Sequence, residues 1–395
     1  MVLGKSSSHA DTAILRPFRV LHVINNLGLG GAETLLYRIA TRGSATEHVV
    51  VSMASPAWYS PLLEKKGVSL HHLAVDSPLQ AASGAIRLNK IIRETNADVV
   101  QCWMYRSNLF GGIVAKAARK PVVWGVHCSS LEPLRGDSRA LARLGGVLAG
   151  VTPDYVINCS TRSAEIHASL GYSAARVAVV HNGYDETAFF PDEEMRLSIR
   201  KSLELGPRDF AVGSIARWHR QKDIPNLLHA ISIVRERGIA LRCFLLGAGL
   251  DADNPLLVAE IEKFACADSV TLLGPRSDVQ SIARALDLHV LASGGGEAFP
   301  NVVAETMLSG TPNTVTDVGD MPLMVGNSGW IVPPREPEQL ADAIAEAYAE
   351  WKEQPDNWAS RRRASRQQIA DNFSFDQMVD GYERIWREVT RRQSR

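Results

Sequence analysis

Residues 287–310 read DLHVLASGGGEAFPNVVAETMLSG and change period halfway along. The run DLHVLAS (287–293) is short, apolar and partly β-branched, which predicts a buried strand closed by three glycines. NVVAETMLSG (301–310) predicts a helix, with Pro300 and Asn301 suited to its first turn and Gly310 to its stop. Glu297 then lies on the loop at the carboxyl end of a strand. Glu305, eight positions on, lies within the first two turns of the next helix. Open parallel sheets bind ligands at that edge, and helix N-termini there favour anions. Two carboxylates in this setting suit a ligand with hydroxyls to bind and a phosphate to hold, such as a nucleotide sugar. A capping glutamate plus a solvated one would explain a bare pair of acids. The glycines, the FPN turn and the preceding strand favour the ligand.

The same alternation of strand and helix extends in both directions. RVLHVINNLGLGGAETLLYRIATRG (19–43) reads as strand, glycine loop and helix, and strands recur at EHVVVSMA, SLHHLAV, ADVVQCW, PVVWGVH, YVINCS and RVAVVHNG. After HNGYDETAFFPDEE (181–194) the pattern restarts with FAVGSIA (210–216) and runs through LRCFLLGAG, SVTLLG and DLHVLAS to GWIVP. Alternating strands and helices predict parallel, doubly wound sheets. The expected division is a disordered tail over 1–18, a first domain over 19–185, a second over 186–372, and a C-terminal helix over 373–395 that packs back on the first domain. That helix carries Phe375, Met378, Val379, Tyr382, Ile385, Trp386 and Val389 on one stripe. Two such domains leave a cleft between them, where ligands bind.

Composition narrows the function. The chain has 395 residues, 45% hydrophobic and 22% charged, which fits a soluble globular protein of two domains. Lys+Arg and Asp+Glu both number 43, so nucleic-acid binding has no electrostatic support. Residues 1–185 hold 19 basic and 12 acidic side chains, and the second half carries the opposite imbalance. A basic front half is compatible with an anionic acceptor or an anionic membrane surface. No apolar run approaches the ~18–20 residues of a spanning helix, and residues 1–18 lack the apolar core of a signal peptide. Five scattered cysteines without CxxC spacing point to a reducing compartment and away from zinc.

Several loops carry chemistry. Gly28-Leu-Gly30-Gly31-Ala-Glu33 follows a strand and opens a helix, so its backbone could cradle a phosphate. A nicotinamide site is disfavoured: Glu33 replaces the third glycine, and the second strand ends in Ser52-Met53 with no acid for a ribose. Glycines serving only a tight turn are the plain alternative. In ARWHRQKD (216–223), Arg217 and Lys222 would project from the loop after the first strand of the second half, where two cations can neutralise a diphosphate. A basic loop is otherwise merely solvated. His127 ends the strand PVVWGVH and could reach a sugar hydroxyl, or be structural. GPRSDV (274–279) could bond a nucleobase through its backbone, with Arg276 stacking on it. The Arg361–Arg363 run reads as a solvated helix face.

Together the GLGGAE loop, RWHRQKD, GEAFPNVVAE, HNGYD and DVGDMPLMVGNSGWIVPPREPEQLADAI resemble retaining glycosyltransferases of family four, over about residues 19–390. VVQCWMYRSNLFGGIVAKAARKPVVWGVH resembles the branch that builds bacterial surface polysaccharides, including lipopolysaccharide and exopolysaccharide. The resemblance implies the α/β GT-B fold, two Rossmann-like domains with the acceptor side first and the nucleotide-sugar side second. It implies that Glu297 contacts the donor sugar, Glu305 the ribose, and Arg217 and Lys222 the diphosphate. Gly30 and Gly31 would approach the phosphate from the first domain, and backbone amides around Phe299, Pro300 and Asn301 would assist. His127 matches a histidine that lies near the transferred sugar in some relatives. Ala298 and Pro300 stand where many relatives carry glycine, and Cys128 where a polar residue is common.

The implied enzyme is a cytoplasmic hexosyltransferase, peripheral on the inner face of a membrane. It would use a UDP- or GDP-hexose as co-substrate, with no cofactor and no metal, and a lipid-linked or glycan acceptor. A sugar-nucleotide epimerase of the same fold, or a non-catalytic sugar-nucleotide binding protein, are the other readings.

Overall fold

The computed structural model describes residues 16–43, 45–75, 77–128, 136–172 and 177–393. The tail expected over 1–18 falls mostly outside them. Arg16 is already docked on Asp98 at 2.5 Å, and Phe18 opens the first strand.

The first sheet contains β1 (Phe18–Ile24), β2 (Thr46–Ser52), β3 (Ser69–His72), β4 (Val99–Trp103), β5 (Val122–Val126), β6 (Tyr155–Asn158) and β7 (Val177–Val179). The second contains β8 (Ala211–Ile215), β9 (Arg242–Leu246), β10 (Val270–Gly274), β11 (Leu288–Leu291), β12 (Asn313–Thr316) and β13 (Trp330–Val332). Their orders are β3-β2-β1-β4-β5-β6-β7 and β10-β9-β8-β11-β12-β13, with every pairing parallel. This is the doubly wound pair that the alternation predicts. β4, β5 and β11 are buried along their whole length because helices cover both faces, which is why they read as largely apolar runs, with Gln101 and His289 as the polar exceptions.

The first domain's helices are α1 (Gly31–Thr41), α2 (Ser60–Lys65), α3 (Ala81–Glu94), α4 (Met104–Ala117), α5 (Gly136–Leu148) and α6 (Thr161–Ala168). The rest are α7 (Glu193–Ser202), α8 (Ile224–Glu236), α9 (Pro255–Lys263), α10 (Val279–Ala285), α11 (Asn301–Leu308), α12 (Met321–Val325), α13 (Pro337–Glu353), α14 (Pro355–Asn372) and α15 (Phe375–Gln393). α6 and α7 are short and mostly polar, and α12 is a single apolar turn of five residues, so none of the three is expected from the sequence.

α15 closes the chain against the first sheet. Met378, Val379, Tyr382, Ile385, Trp386 and Val389 share one core with Val20, Ile24, Trp103 and Ile157. The indole of Trp386 donates to Gln101 Oε1 at 2.9 Å, so its polar atom is satisfied inside that core. Tyr184 and Ser374 form a parallel bridge where the chain passes from domain to domain and back.

The second domain is pinned by a buried charge cluster. Asp287 accepts from Arg196 at 2.5 Å, Arg200 at 2.9 Å and the Ala211 amide at 2.8 Å, which fastens α7 under β8 and β11. The Arg361–Arg363 run is not a solvated face. Arg361 forks onto Glu350 and stacks on Trp330 at 4.4 Å, and Arg362 donates to the Gly310 carbonyl at 2.8 Å; Arg363 alone of the run stays exposed, on Ser360. Adjacent guanidiniums on α14 face different neighbours because each residue turns about a third of the way round the helix.

Candidate functional site

Strand order explains the convergence. β8 and β11 are neighbours in the second sheet although two strands separate them in sequence, so the sheet winds outward in both directions from this pair. Their following loops open the crevice where such sheets bind ligands. The loop after β8 carries Arg217 and a short 3-10 turn, Arg220–Lys222; the loop after β11 carries Glu297. They are tied by the Gly294 amide, which donates to the Gln221 carbonyl at 2.8 Å. At their meeting point Lys222 Nζ donates to Glu297 Oε1 at 2.5 Å, and the Ser293 hydroxyl donates to the same oxygen at 2.7 Å. Both charged side chains are mostly shielded, 16% and 11% exposed, so this charge-assisted bond is little weakened by solvent. Arg217 is exposed, and its guanidinium has no hydrogen bond or ion pair among the described residues.

Pro300 caps α11 and Asn301 starts it. Pro300 has no amide hydrogen, so the expected contribution of backbone amides comes down to its neighbours. The Asn301 and Val302 amides have no acceptor among the described residues, as expected of a helix start facing an anion site. The Phe299 side chain is buried against His181, Tyr184 and Phe373, so it anchors the loop from beneath. The Tyr184 hydroxyl donates to Asn301 Oδ1 at 3.0 Å and fixes the first residue of the helix.

Glu305 is half-buried one turn further on, and its carboxylate accepts no hydrogen bond among the described residues. Burial raises its carboxyl above the ordinary value, and the charge of Arg38 partly opposes this. Arg38 lies on α1, in the other domain. Sequence reasoning missed it because nothing in α1 distinguishes this arginine from a solvated one.

On the first domain's side the expected residues are less organised. Gly30 caps α1 and Gly31 is its first residue. The space beside Gly31 is open, whereas a Cβ on Gly30 would lie 2.3 Å from the Glu33 carboxylate. Glu33 bonds its own amide, and burial raises its carboxyl. An acid therefore already occupies part of this helix start. His127 stacks on Trp103 with centroids 5.2 Å apart and ring planes 19° apart. Its Nε2 is buried without a partner among the described residues, and burial lowers its pKa to about 4, so the ring is neutral near pH 7. No hydrogen bond or ring contact among the described residues joins it to Glu297, Lys222 or Arg217. Arg276 is engaged with Asp278 through two bonds of 2.7 and 2.6 Å and lies flat on no ring among the described residues. That pair holds the Asp278 carboxyl below its ordinary value.

The structure adds one residue that joins both domains. Asp320 accepts from the Thr161 and Arg162 amides at 2.7 and 3.1 Å, which caps α6 across the interface, and lies 3.1 Å from His181 Nε2. Its own amide donates to the Ala298 carbonyl at 3.1 Å, and Gly319 beside it packs so close to the Glu297 carbonyl that a Cβ would lie 2.3 Å from it. Gly319 has φ +63°, a conformation that glycine adopts freely. One carboxylate thus links the acid-bearing loop, the domain junction and the far domain. Burial pushes its carboxyl up, but the bonds from His181, Arg162 and Thr161 outweigh this and leave it lowered.

Two family descriptions match the chain: "Glycosyltransferase Family 4" over residues 29–188 and "Glycosyl transferases group 1" over residues 208–350. D-inositol 3-phosphate glycosyltransferase of Corynebacterium urealyticum is 28% identical over 201 residues, covering 48% of this chain and 47% of that one. The match thus spans about half that relative's length. UDP-Gal:alpha-D-GlcNAc-diphosphoundecaprenol alpha-1,3-galactosyltransferase of Escherichia coli is 23% identical over 271 residues, 66% of this chain and 68% of that one. Among solved structures, Anabaena Alr3699/HepE in complex with UDP superposes with a TM-score of 0.83 at 21% identity, over 94% of this chain and 100% of that one. At that identity the likeness shows the fold.

Proposed function

This chain belongs to the family 4 glycosyltransferases with the GT-B fold, and we propose that it moves a hexose, with retention of configuration, from a nucleoside-diphosphate sugar to a lipid-linked or lipopolysaccharide- or exopolysaccharide-type acceptor. The observation that carries this reading is the Lys222–Glu297 pair at 2.5 Å, set at the carboxyl edge between β8 and β11 below the free amides of α11. A cation, a carboxylate and a helix start in one crevice match the diphosphate and hydroxyls of such a donor.

In this reading the diphosphate lies against Lys222, Arg217 and the Asn301 and Val302 amides. As the bond from the sugar's anomeric carbon to the phosphate oxygen breaks, charge builds on the leaving diphosphate, and these groups stabilise it. The acceptor hydroxyl attacks from the same face, and its proton passes to an oxygen of the leaving phosphate. No protein nucleophile is required. Glu297 holds the Lys222 ammonium in place and contacts the sugar. Glu305 takes the ribose hydroxyls, which give its half-buried carboxylate the donors it lacks. His127, neutral at pH 7, can accept a hydrogen bond from a sugar hydroxyl.

The named activity of the Escherichia coli relative, on a diphosphoundecaprenol-linked sugar, supports a lipid-linked acceptor and so a place beside a membrane. Among the described residues no helix is long and apolar enough to cross a membrane. The test is a thermal-shift screen of UDP- and GDP-sugars, followed by product analysis of the anomeric configuration. A true donor at 100 times its Kd should stabilise by about 2.7 kcal/mol. No shift with any donor would sink the reading, and an epimerised sugar released without acceptor would make the chain an epimerase. Because two cations neutralise the diphosphate here, transfer should survive EDTA. If EDTA abolishes it and magnesium or manganese restores it, the basic loop is misassigned.

A further inference from the structure

Each sheet has one point where its winding reverses, and the two points are built differently. In the second sheet it lies between β8 and β11; in the first it lies between β1 and β4. β4 ends at Trp103, level with Ile24 of β1 and Gly125 of β5, and α4 starts on the next residue with no loop between. The chain makes this turn by holding Met104 at φ +70°. Seven other described residues that are not glycine have positive φ. Four of them, Asn96, Arg119, Glu204 and Ala265, follow α3, α4, α7 and α9, where a left-handed residue ordinarily closes a helix. Met104 instead opens one, where no such stop is needed, and glycine would take the conformation freely.

The turn is clamped from within. The Ser107 hydroxyl accepts from the Trp103 amide at 3.2 Å and donates to the Trp103 carbonyl. The Asn108 side chain donates to the Gly125 carbonyl at 3.2 Å. The Trp103 ring stacks on Tyr382, and its indole donates to His22 Nδ1 at 3.2 Å. A strained residue persists when its surroundings fix it in this way, and such residues gather at ligand sites.

The Met104 side chain is no part of this clamp. It is half-buried and belongs to none of the hydrophobic cores of the described residues. Met104 lies at the crevice edge, between the glycine loop that follows β1 and His127 at the end of β5. On the strands to either side, Asn25 Oδ1 and His127 Nε2 are buried without partners among the described residues. An apolar side chain flanked by unmet hydrogen-bonding groups is the complement of a pyranose, whose ring carbons form an apolar face edged by hydroxyls.

We propose that Met104 helps to select the acceptor: the strained turn holds its thioether side chain against the carbon face of the acceptor's sugar. Lys222 and Glu297, which serve the donor, stand on the other domain, and a thioether, unbranched and polarisable, fits an irregular apolar surface. This rests on the acceptor reading above.

The full chain and its Met104→Gly and Met104→Leu variants are assayed with the donor that the thermal-shift screen selects. The acceptors are a panel of lipid-diphosphate-linked sugars, led by the GlcNAc-diphosphoundecaprenol in the named activity of the Escherichia coli relative. Met104→Gly should raise the melting temperature by about 2–4 °C, because glycine relieves the turn, and should leave UDP binding unchanged. Its kcat/KM for the acceptor should nevertheless fall on the order of tenfold, through KM, because an apolar contact is lost. Met104→Leu keeps the apolar volume and the strain, so it should recover most of the transfer while melting like the parent. A variant gaining stability while losing acceptor affinity is not what a purely structural residue gives. Unchanged transfer by Met104→Gly would overturn the assignment and leave the turn without a ligand. So would a melting temperature at or below the parent's, which would make the side chain a packing element, or weakened UDP binding, which would place it on the donor. If the parent transfers to no acceptor of the panel, the acceptor reading falls and this assignment with it, whereas the other failures leave that reading standing.

Discussion

The two halves of the cleft share one winding, with central strands flanked outward in the same order, yet they are finished differently. On the second domain's side, side chains from different loops are locked together: Glu297 to Lys222 and Ser293, Tyr184 to Asn301, and Phe299 into the core. On the first domain's side, Gly31 faces open space and the His127 Nε2 has no partner among the described residues. A half that is already assembled suits one fixed ligand, whose transition-state charge must meet groups that need not move. A half left open suits a larger partner that supplies its own contacts. The same architecture thus serves two recognition tasks, and the difference lies in the loops at the strand ends.

The largest effect should come from breaking what the second half is built on. Asp287→Ala leaves Arg196 and Arg200 buried without their partner and should destabilise by about 3–5 kcal/mol in denaturant unfolding; a cost near zero would mean that the cluster does not hold α7. Next, Lys222→Ala should cost on the order of 3 kcal/mol in transition-state stabilisation and weaken nucleoside-diphosphate binding. Unchanged turnover would remove Lys222 from the site and with it the contrast between the halves. Asp320→Ala, which unties the halves, should cost about 1–3 kcal/mol, because the part-buried amides that open α6 lose their acceptor. Its carboxyl is lowered in the folded protein, so its contribution is fully present above the ordinary value of 3.8 and is lost as pH falls through the folded value. The stability gap between parent and variant should therefore narrow on acidification. A gap that is constant with pH would show that the carboxylate's charge is not what joins the domains.

Much of this was legible in the sequence, for reasons that can be located. Strands such as β4, β5 and β11 announce themselves because burial on both faces favours largely apolar runs. Glu297 and Lys222 were legible as edge residues because each follows such a strand. Their mutual contact was not, since it depends on β8 and β11 being neighbours, and sequence order does not state that. Asp320 was invisible for a stronger reason: it caps a helix 159 residues away, and α6 is eight residues long with little periodic signal. The Arg361–Arg363 run misled because a cluster of like charges looks solvated, whereas two of the three guanidiniums have carboxylate or carbonyl partners brought in by the tertiary fold. Arg276 is held by Asp278, and His127 stacks on Trp103 instead of joining the Lys222–Glu297 pair.

The central claim is that the preassembled half divides its labour, with Glu305 on the nucleotide and Glu297 on the sugar. Calorimetric titration of free UDP, or of GDP if the donor screen selects it, into Glu305→Gln and Glu297→Gln tests this directly, because the free diphosphate lacks the sugar. Glu305→Gln removes a half-buried carboxylate that accepts no hydrogen bond among the described residues, so it should bind the diphosphate more weakly than the parent while melting no earlier without ligand. Glu297→Gln releases Lys222 from its ion pair and should bind the diphosphate at least as well as the parent. If Glu297→Gln loses the free diphosphate and Glu305→Gln keeps it, the two roles are reversed and the ligand lies the other way round in the cleft.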